Sequence, residues 1–390
     1  MMPYKGTDYF DMETLLSEEE VAIRNTVYEF VQKEFLPIIH THHQNETFPT
    51  GMIGRMAKLG LLGANLPPEY GCAGINNVAY GLIMQELERG DSGLRSFASV
   101  QGALVMYAIY RYGSEDQKRH WLPRLASGEA VGCFGLTEPE HGSDPGSLAT
   151  RARKEGREYV LDGVKMWITN GTLAHVAVIW ARDDGGVIRG FLVEKETPGF
   201  TANKITGKYS LRASDTAELV LENCRIPREN LLTKAEGLKS PLSCLTQARY
   251  GIAWGAVGSA MACYETALSY GREREQFGRP IASFQLTQKK LVEMVASITR
   301  GQLLVLQLGR LKDKGKLRHE QVSLAKMTNV AAARKVARMA REILAANGIM
   351  EEYDVMRHLM NMETVSTYEG THEIHTLVVG ADITGMEAFR

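Results

Sequence analysis

Tyr159-Val160-Leu161-Asp162-Gly163-Val164-Lys165-Met166-Trp167-Ile168-Thr169 is where the texture of this chain changes. β-Branched and aromatic residues flank an Asp-Gly pair, the sequence form of strand, tight turn, strand. Further β-type runs follow at 175–182, 187–194 and 217–223, the first two joined by Asp183-Asp184-Gly185-Gly186. Strands that succeed one another without intervening helices predict an antiparallel sheet or small barrel and argue against a βαβ sheet.

On either side of this region the chain reads as helix. Ser17 with Glu20 makes a capping box, after which Ile23, Val27, Phe30 and Val31 recur at helical spacing and give one buried stripe. Leu66-Pro67-Pro68 and Gly90-Asp91-Ser92-Gly93 are turn signals, and a helix is expected from about Leu94 to Tyr112. From about Pro241 helical periodicity returns, clearest over 285–311 and 332–344. The expectation is an α+β multidomain chain in the order α, β, α, with boundaries near 130 and 240.

At 390 residues the chain is long enough for two or three packed units, and 44% hydrophobic with 23% charged residues is a globular composition. A net charge of −1 gives no electrostatic case for nucleic acid. Five scattered cysteines without Cys-x-x-Cys spacing fit free thiols in a reducing compartment. The N-terminal stretch is acidic and has neither signal-peptide nor transit-peptide character, so a cytoplasmic protein is expected, or a mitochondrial matrix protein if a transit peptide was removed. The long apolar stretch 97–110 is shorter than a bilayer span, so no stable membrane insertion is expected. His40-Thr41-His42-His43 lies in a polar stretch with no obvious further ligands, and no metal site is expected. Neither a Gly-x-Gly-x-x-Gly after a strand nor a P-loop is present.

Two segments carry candidate chemistry. In Ser366-Thr367-Tyr368-Glu369-Gly370-Thr371-His372-Glu373-Ile374-His375 a carboxylate stands between an aromatic and a glycine. Glu369 is either a solvated turn residue or, shielded from water, a base with a raised pKa. Gly135-Leu136-Thr137-Glu138-Pro139-Glu140-His141-Gly142-Ser143-Asp144 is either a structural turn or a loop whose hydroxyls and N–H groups bind a polar heterocycle or a phosphate.

Together with Lys165-Met166-Trp167-Ile168-Thr169-Asn170, these segments resemble the acyl-CoA dehydrogenase family over essentially the whole chain. Glu88-Arg89-Gly90-Asp91-Ser92-Gly93-Leu94-Arg95-Ser96 and Ala248-Arg249-Tyr250-Gly251-Ile252-Ala253-Trp254-Gly255 make the glutaryl-CoA dehydrogenases the most similar branch. The resemblance implies an N-terminal all-α domain (1–130), a middle antiparallel β-barrel domain (131–239) and a C-terminal four-helix bundle (240–390), binding FAD and assembled as a homotetramer. It implies that Leu136, Thr137, Trp167, Ile168 and Thr169 contact the flavin, with Thr371 adding a contact. Ser143 would lie near a phosphate group of cofactor or substrate, and Arg274, Gln276, Phe277 and Gln285 would hold the distal half of FAD across a subunit interface.

Glu369 would be the catalytic base, the rival position on an earlier helix being Ala248. Arg95, with Glu88 and Ser99 nearby, would hold the distal carboxylate of glutaryl-CoA; Tyr368, Gly370 and Arg249 complete the implied substrate site. The implied reaction is α,β-dehydrogenation with decarboxylation to crotonyl-CoA and CO2, electrons passing to electron-transferring flavoprotein. The alternatives are the same fold without decarboxylation or on another short or acidic acyl-CoA, and a non-catalytic acyl-CoA-binding protein. One departure stands out: the family usually has a Gly-Gly pair where this chain has Ala345-Ala346.

Overall fold

A computed structural model describes residues 7–389. The N-terminal part is built from α1 (Glu18–Phe30), α2 (Leu36–Gln44), α3 (Gly51–Lys58), α4 (Asn77–Gly90), α5 (Ser92–Ser99), α6 (Tyr107–Tyr112) and α7 (Glu115–Ala126). The capping box is formed: Ser17 Oγ accepts from the Glu20 N–H, and the Glu20 carboxylate accepts from the Ser17 N–H at 2.8 Å. Val27, Phe30 and Val31 are buried below it. Asp91 breaks the chain between α4 and α5, its carboxylate accepting the Gly93 N–H at 2.6 Å. The single helix expected from Leu94 to Tyr112 is one helical run with a π-type stretch, Val100–Met106, between α5 and α6.

The middle part holds β1 (Gly132–Gly135), β2 (Arg151–Glu155), β3 (Glu158–Thr169), β4 (Val176–Arg182), β5 (Ile188–Glu194), β6 (Phe200–Lys204) and β7 (Thr216–Pro227). They form a β half-barrel, a 7-stranded sheet in the order β1-β4-β2-β3-β7-β6 with β5 added on β4. Two expectations need correction. Pairing is mixed, because β1 and β2 lie parallel to β4 while the other pairs are antiparallel. Asp162-Gly163 is not a hairpin turn: β3 runs straight through it with a bulge opposite β7. The glycine is required there by close approach, since a Cβ at Gly163 would lie 2.4 Å from Thr150 Oγ1.

The C-terminal part contains α8 (Lys239–Glu273), a short hairpin of β8 (Glu275–Gln276) and β9 (Arg279–Pro280), then α9 (Gln285–Asp313), α10 (His319–Ile343), α11 (Val355–Thr367) and α12 (His372–Thr384). α9 is long and apolar enough to cross a membrane by composition; here Met294, Ile298, Val305 and Leu308 are buried in the core shared with α8 and α10.

This core is continuous with the N-terminal helices. Glycines let α8 approach α4 closely: a Cβ at Gly258 would fall 1.9 Å from the Gln85 carbonyl oxygen, and one at Gly255 2.1 Å from Glu88 Oε2. A polar lock ties the three parts together. Asp91 accepts from Arg357 at 2.5 Å and from Asn361 at 2.8 Å, both on α11, and Asn361 accepts the Leu211 N–H of the middle part at 2.8 Å.

Candidate active site

Glu369 follows the end of α11, where the chain must turn into α12. It does so in the left-handed region, with φ of 51° at Glu369 and 97° at Gly370. That conformation is rare for a residue with a side chain and needs support from its surroundings. Arg249 on α8 donates from Nε to the Glu369 carbonyl at 2.7 Å, and Lys326 on α10 donates to the carbonyls of Tyr368 at 3.0 Å and Gly370 at 2.7 Å. No side chain fits at residue 370, where a Cβ would meet the His375 ring at 2.9 Å. The loop carries Glu369 inward, and its Oε2 is buried without a hydrogen-bond partner among the described residues. Burial raises the Glu369 pKa, while Arg95, Arg249 and Lys326 pull it back down. A carboxylate poised in this way, with a free lone pair, is suited to take a proton from carbon.

Arg95 faces the same space from α5. It is fully buried, and its Nε donates to Glu88 Oε2 at 2.5 Å. The second oxygen of Glu88 accepts from Ser92 at 2.8 Å. The guanidinium also donates to the Tyr368 hydroxyl and lies 5.5 Å from that ring's centroid. Burial works against its charge, but Glu88 and then Tyr368 outweigh it, and Arg95 stays protonated. The Ser99 and Tyr80 hydroxyls are buried with no hydrogen-bond partner among the described residues. Unpaired donors beside a partly engaged guanidinium are costly unless something fills the space, and an anionic ligand group answers that need.

On the β side, the bulge between Lys165 and Ile168 puts Trp167 at φ 62° and leaves its indole 60% exposed. Ile168 beside it is buried in the sheet. The 136–138 loop is stitched alongside: the Thr137 carbonyl accepts the Met166 N–H at 2.9 Å, and buried Lys165 donates to the Leu136 carbonyl at 3.2 Å and to Glu138 at 2.7 Å. A flat exposed indole is thereby held next to the hydroxyl-bearing Thr137 and Thr169.

Not every expected site residue joins this cluster. Ser143 is exposed on the loop after Thr137. Thr371 caps α12, its hydroxyl accepting the Ile374 N–H. Arg274, Gln276, Phe277 and Gln285 are all exposed around the β8–β9 hairpin, about 37 Å along α8 from Arg249 at 1.5 Å per residue. Lys326, Tyr80, Ser92 and Ser96 belong to the site neighbourhood but were not singled out from sequence. The only trace of Lys326 is a lysine set in the buried stripe of Val322, Asn329, Ala333 and Val336.

The chain matches the acyl-CoA dehydrogenase N-terminal domain over residues 17–129, the middle domain over 133–224 and the C-terminal domain over 235–384. A glutaryl-CoA dehydrogenase from Mycobacterium smegmatis, solved in complex with FADH2, is 51% identical with a TM-score of 0.98, covering 100% of both chains. The butyryl-CoA dehydrogenase of Megasphaera elsdenii is 31% identical with a TM-score of 0.91, covering 98% of this chain and 100% of that one. The short-chain specific acyl-CoA dehydrogenase of Rattus norvegicus mitochondria is 36% identical over 373 residues, 94% of this chain and 90% of its own. With all three of the family's domains present in order and relatives matched along nearly the full length, the chain belongs to the acyl-CoA dehydrogenase family of oxidoreductases.

Proposed function

We propose that this protein is a glutaryl-CoA dehydrogenase that oxidises and decarboxylates its substrate. The observation that carries this reading is Arg95, a buried guanidinium held by Glu88 and Tyr368 and near enough to Glu369 to pull its pKa down. An acyl chamber built for an alkyl chain gains nothing from a desolvated cation, whereas a diacid substrate offers it a distal carboxylate. A desolvated Arg–carboxylate pair is worth about 2–5 kcal/mol on loss of one partner, enough to set substrate choice. The relative with 51% identity is a glutaryl-CoA dehydrogenase, which favours this reading over the short-chain one.

The site fits FAD: Trp167 is an exposed aromatic platform with Thr169 two residues on, next to the Thr137 loop, and Leu136 and Ile168 are buried beneath the two segments. In this reading Ser143 and Thr371 would make polar contacts to the ligands, and Arg274, Gln276, Phe277 and Gln285, all on the surface, would meet the distal half of FAD bound by a second protomer of a homotetramer. When bound, FAD supplies the acceptor for the two electrons that leave with the hydrogen on Cβ.

The side chains of this protein then divide the remaining work. Arg95, with Ser99 and the Tyr368–Arg95 contact, anchors the far carboxylate and orders the chain so that its α-carbon lies at Glu369. The Glu369 carboxylate removes the α-proton, and its backbone N–H is a donor for the thioester oxygen as negative charge develops there. Burial of the chamber favours return of that proton: once CO2 leaves the unsaturated diacid thioester, the protonated Glu369 reprotonates the dienolate to crotonyl-CoA. Electrons leave to electron-transferring flavoprotein.

Incubation with glutaryl-CoA and an artificial electron acceptor should yield crotonyl-CoA and CO2, and Glu369→Gln should abolish turnover while keeping acyl-CoA binding. Glutaconyl-CoA without CO2 would replace the decarboxylating reading with simple dehydrogenation. Rapid turnover of butyryl-CoA with none of glutaryl-CoA would make the protein a short-chain enzyme.

A further inference from the structure

Lys326 lies on α10 and is 1% exposed, a costly place for an ammonium unless it is held by acceptors. Its ammonium bridges the carbonyls of Tyr368 and Gly370, and Arg249 takes the carbonyl between them. Three successive carbonyls of one loop are therefore held by two cations from two different helices. The placement is physically apt, because Tyr368 caps the C-terminus of α11, where helical carbonyls lack partners and the dipole favours positive charge. The same loop holds Glu369 and Gly370 at positive φ, a state that persists only where the surroundings over-determine it.

We propose that Lys326 is a positioning residue for the catalytic base: with Arg249 it clamps the Tyr368–Gly370 backbone so that the Glu369 carboxylate stays aimed into the chamber, and its charge helps keep that carboxylate ionised. The proposal rests on the reading of Glu369 as base. The charged groups facing Lys326 are Glu369 itself, Arg249 of α8, Arg95 of α5 and Glu373 of α12. Burial pushes the Lys326 ammonium down to about 7, so the clamp loses its charge as pH rises through neutrality. Below that range the limit is Glu369, which must be deprotonated to act. Substrate-driven flavin reduction is then bell-shaped, with Glu369 setting the acid limb and Lys326 the alkaline one.

Three variants of the holoenzyme test this: Lys326→Met, Lys326→Gln and Lys326→Arg, compared by anaerobic flavin reduction with glutaryl-CoA and by hydrogen exchange of the 368–375 segment. Lys326→Met should move the acid limb up by about one pH unit or more, the scale for loss of a nearby opposite charge, and should speed amide exchange in that segment. Lys326→Gln keeps donors without charge, so it should shift the acid limb equally while retaining more of the exchange protection. Lys326→Arg stays charged, so it should leave the acid limb in place and remove the alkaline one.

A purely structural lysine would lower stability and leave both limbs where they are in every variant, and that result overturns the proposal. Unchanged limbs and exchange in Lys326→Gln overturn it even where Lys326→Met fails to fold. If Glu369→Gln reduces flavin like the parent enzyme, the base assignment fails instead, and the exchange measurements still report on the clamp.

Discussion

Arg95 and Glu88 form an ion pair with both side chains essentially out of water. Pairs of this kind are held in place by their mutual need: deleting one partner strands a buried charge and costs about 3–5 kcal/mol, while replacing both is often close to neutral. Arg95→Met alone should therefore lower the urea unfolding free energy by about 3 kcal/mol or more. The double variant Arg95→Met with Glu88→Gln should recover most of that stability. Turnover of glutaryl-CoA should be lost in both, because the anchor proposed for its distal carboxylate is gone in both. A double variant as unstable as the single one would mean that the pair shapes the fold beyond its charge. At this scale the sequence was legible where a motif carried the residue: Glu88, Arg95, Trp167 and Glu369 all stand in recognisable blocks. Tyr80 and Lys326 were not legible, since their significance lies in what they face across helix packing, and no local pattern encodes that.

Helices and strands were read well where periodicity was long, as in α9 and the β4–β5 hairpin, and less well where a single residue type has two uses. Asp-Gly signals a tight turn when the flanking strands pair with each other. In β3 the flanks pair with β2 and β7 instead, and the glycine serves close approach to Thr150. The π-type stretch between α5 and α6 has the same hydrophobic texture as ordinary helix and leaves no mark in the sequence.

Ala345 is a further case at this scale. It follows the C-terminus of α10 at φ 50°, the left-handed position that helices usually end on with glycine. A methyl group there costs about 1–2 kcal/mol, part of which a glycine returns through the greater freedom of the unfolded chain. Ala345→Gly should accordingly stabilise the protein by a net ~0.5–1 kcal/mol, read as a higher denaturant midpoint with an unchanged slope. A lower midpoint would show that the methyl group makes contacts worth more than the strain.

At the scale of the molecule, the α-β-α order follows from the switch in hydrophobic period, but the chamber does not. It draws on α4, α5, α8, α10 and the α11–α12 loop, stretches more than two hundred residues apart that meet only because glycine-faced α8 packs tightly on α4. The far end of α8 poses a different question. The β8–β9 hairpin turns on Phe277-Gly278, both at positive φ (55° and 74°), a demand met best by Asn-Gly. A phenylalanine there is conformationally costly, and it is also 94% exposed, near Leu286 at 77%. Within the protomer the ring meets only Phe284, edge-on at 6.1 Å, among the described residues, which suits the proposed role of Phe277 against FAD bound by a second protomer. Phe277→Asn should then have effects of opposite sign. The flavin-free protein, denatured at low concentration, should gain roughly 1 kcal/mol from relief of the backbone. On the proposed assembly, the holoenzyme should lose FAD faster on dialysis and sediment as smaller species, because Asn cannot supply the aromatic contact proposed there. Gain of stability with assembly and FAD retention untouched would leave Phe277 as unexplained strain, and would leave the proposed distal contacts of the cofactor to Arg274, Gln276 and Gln285.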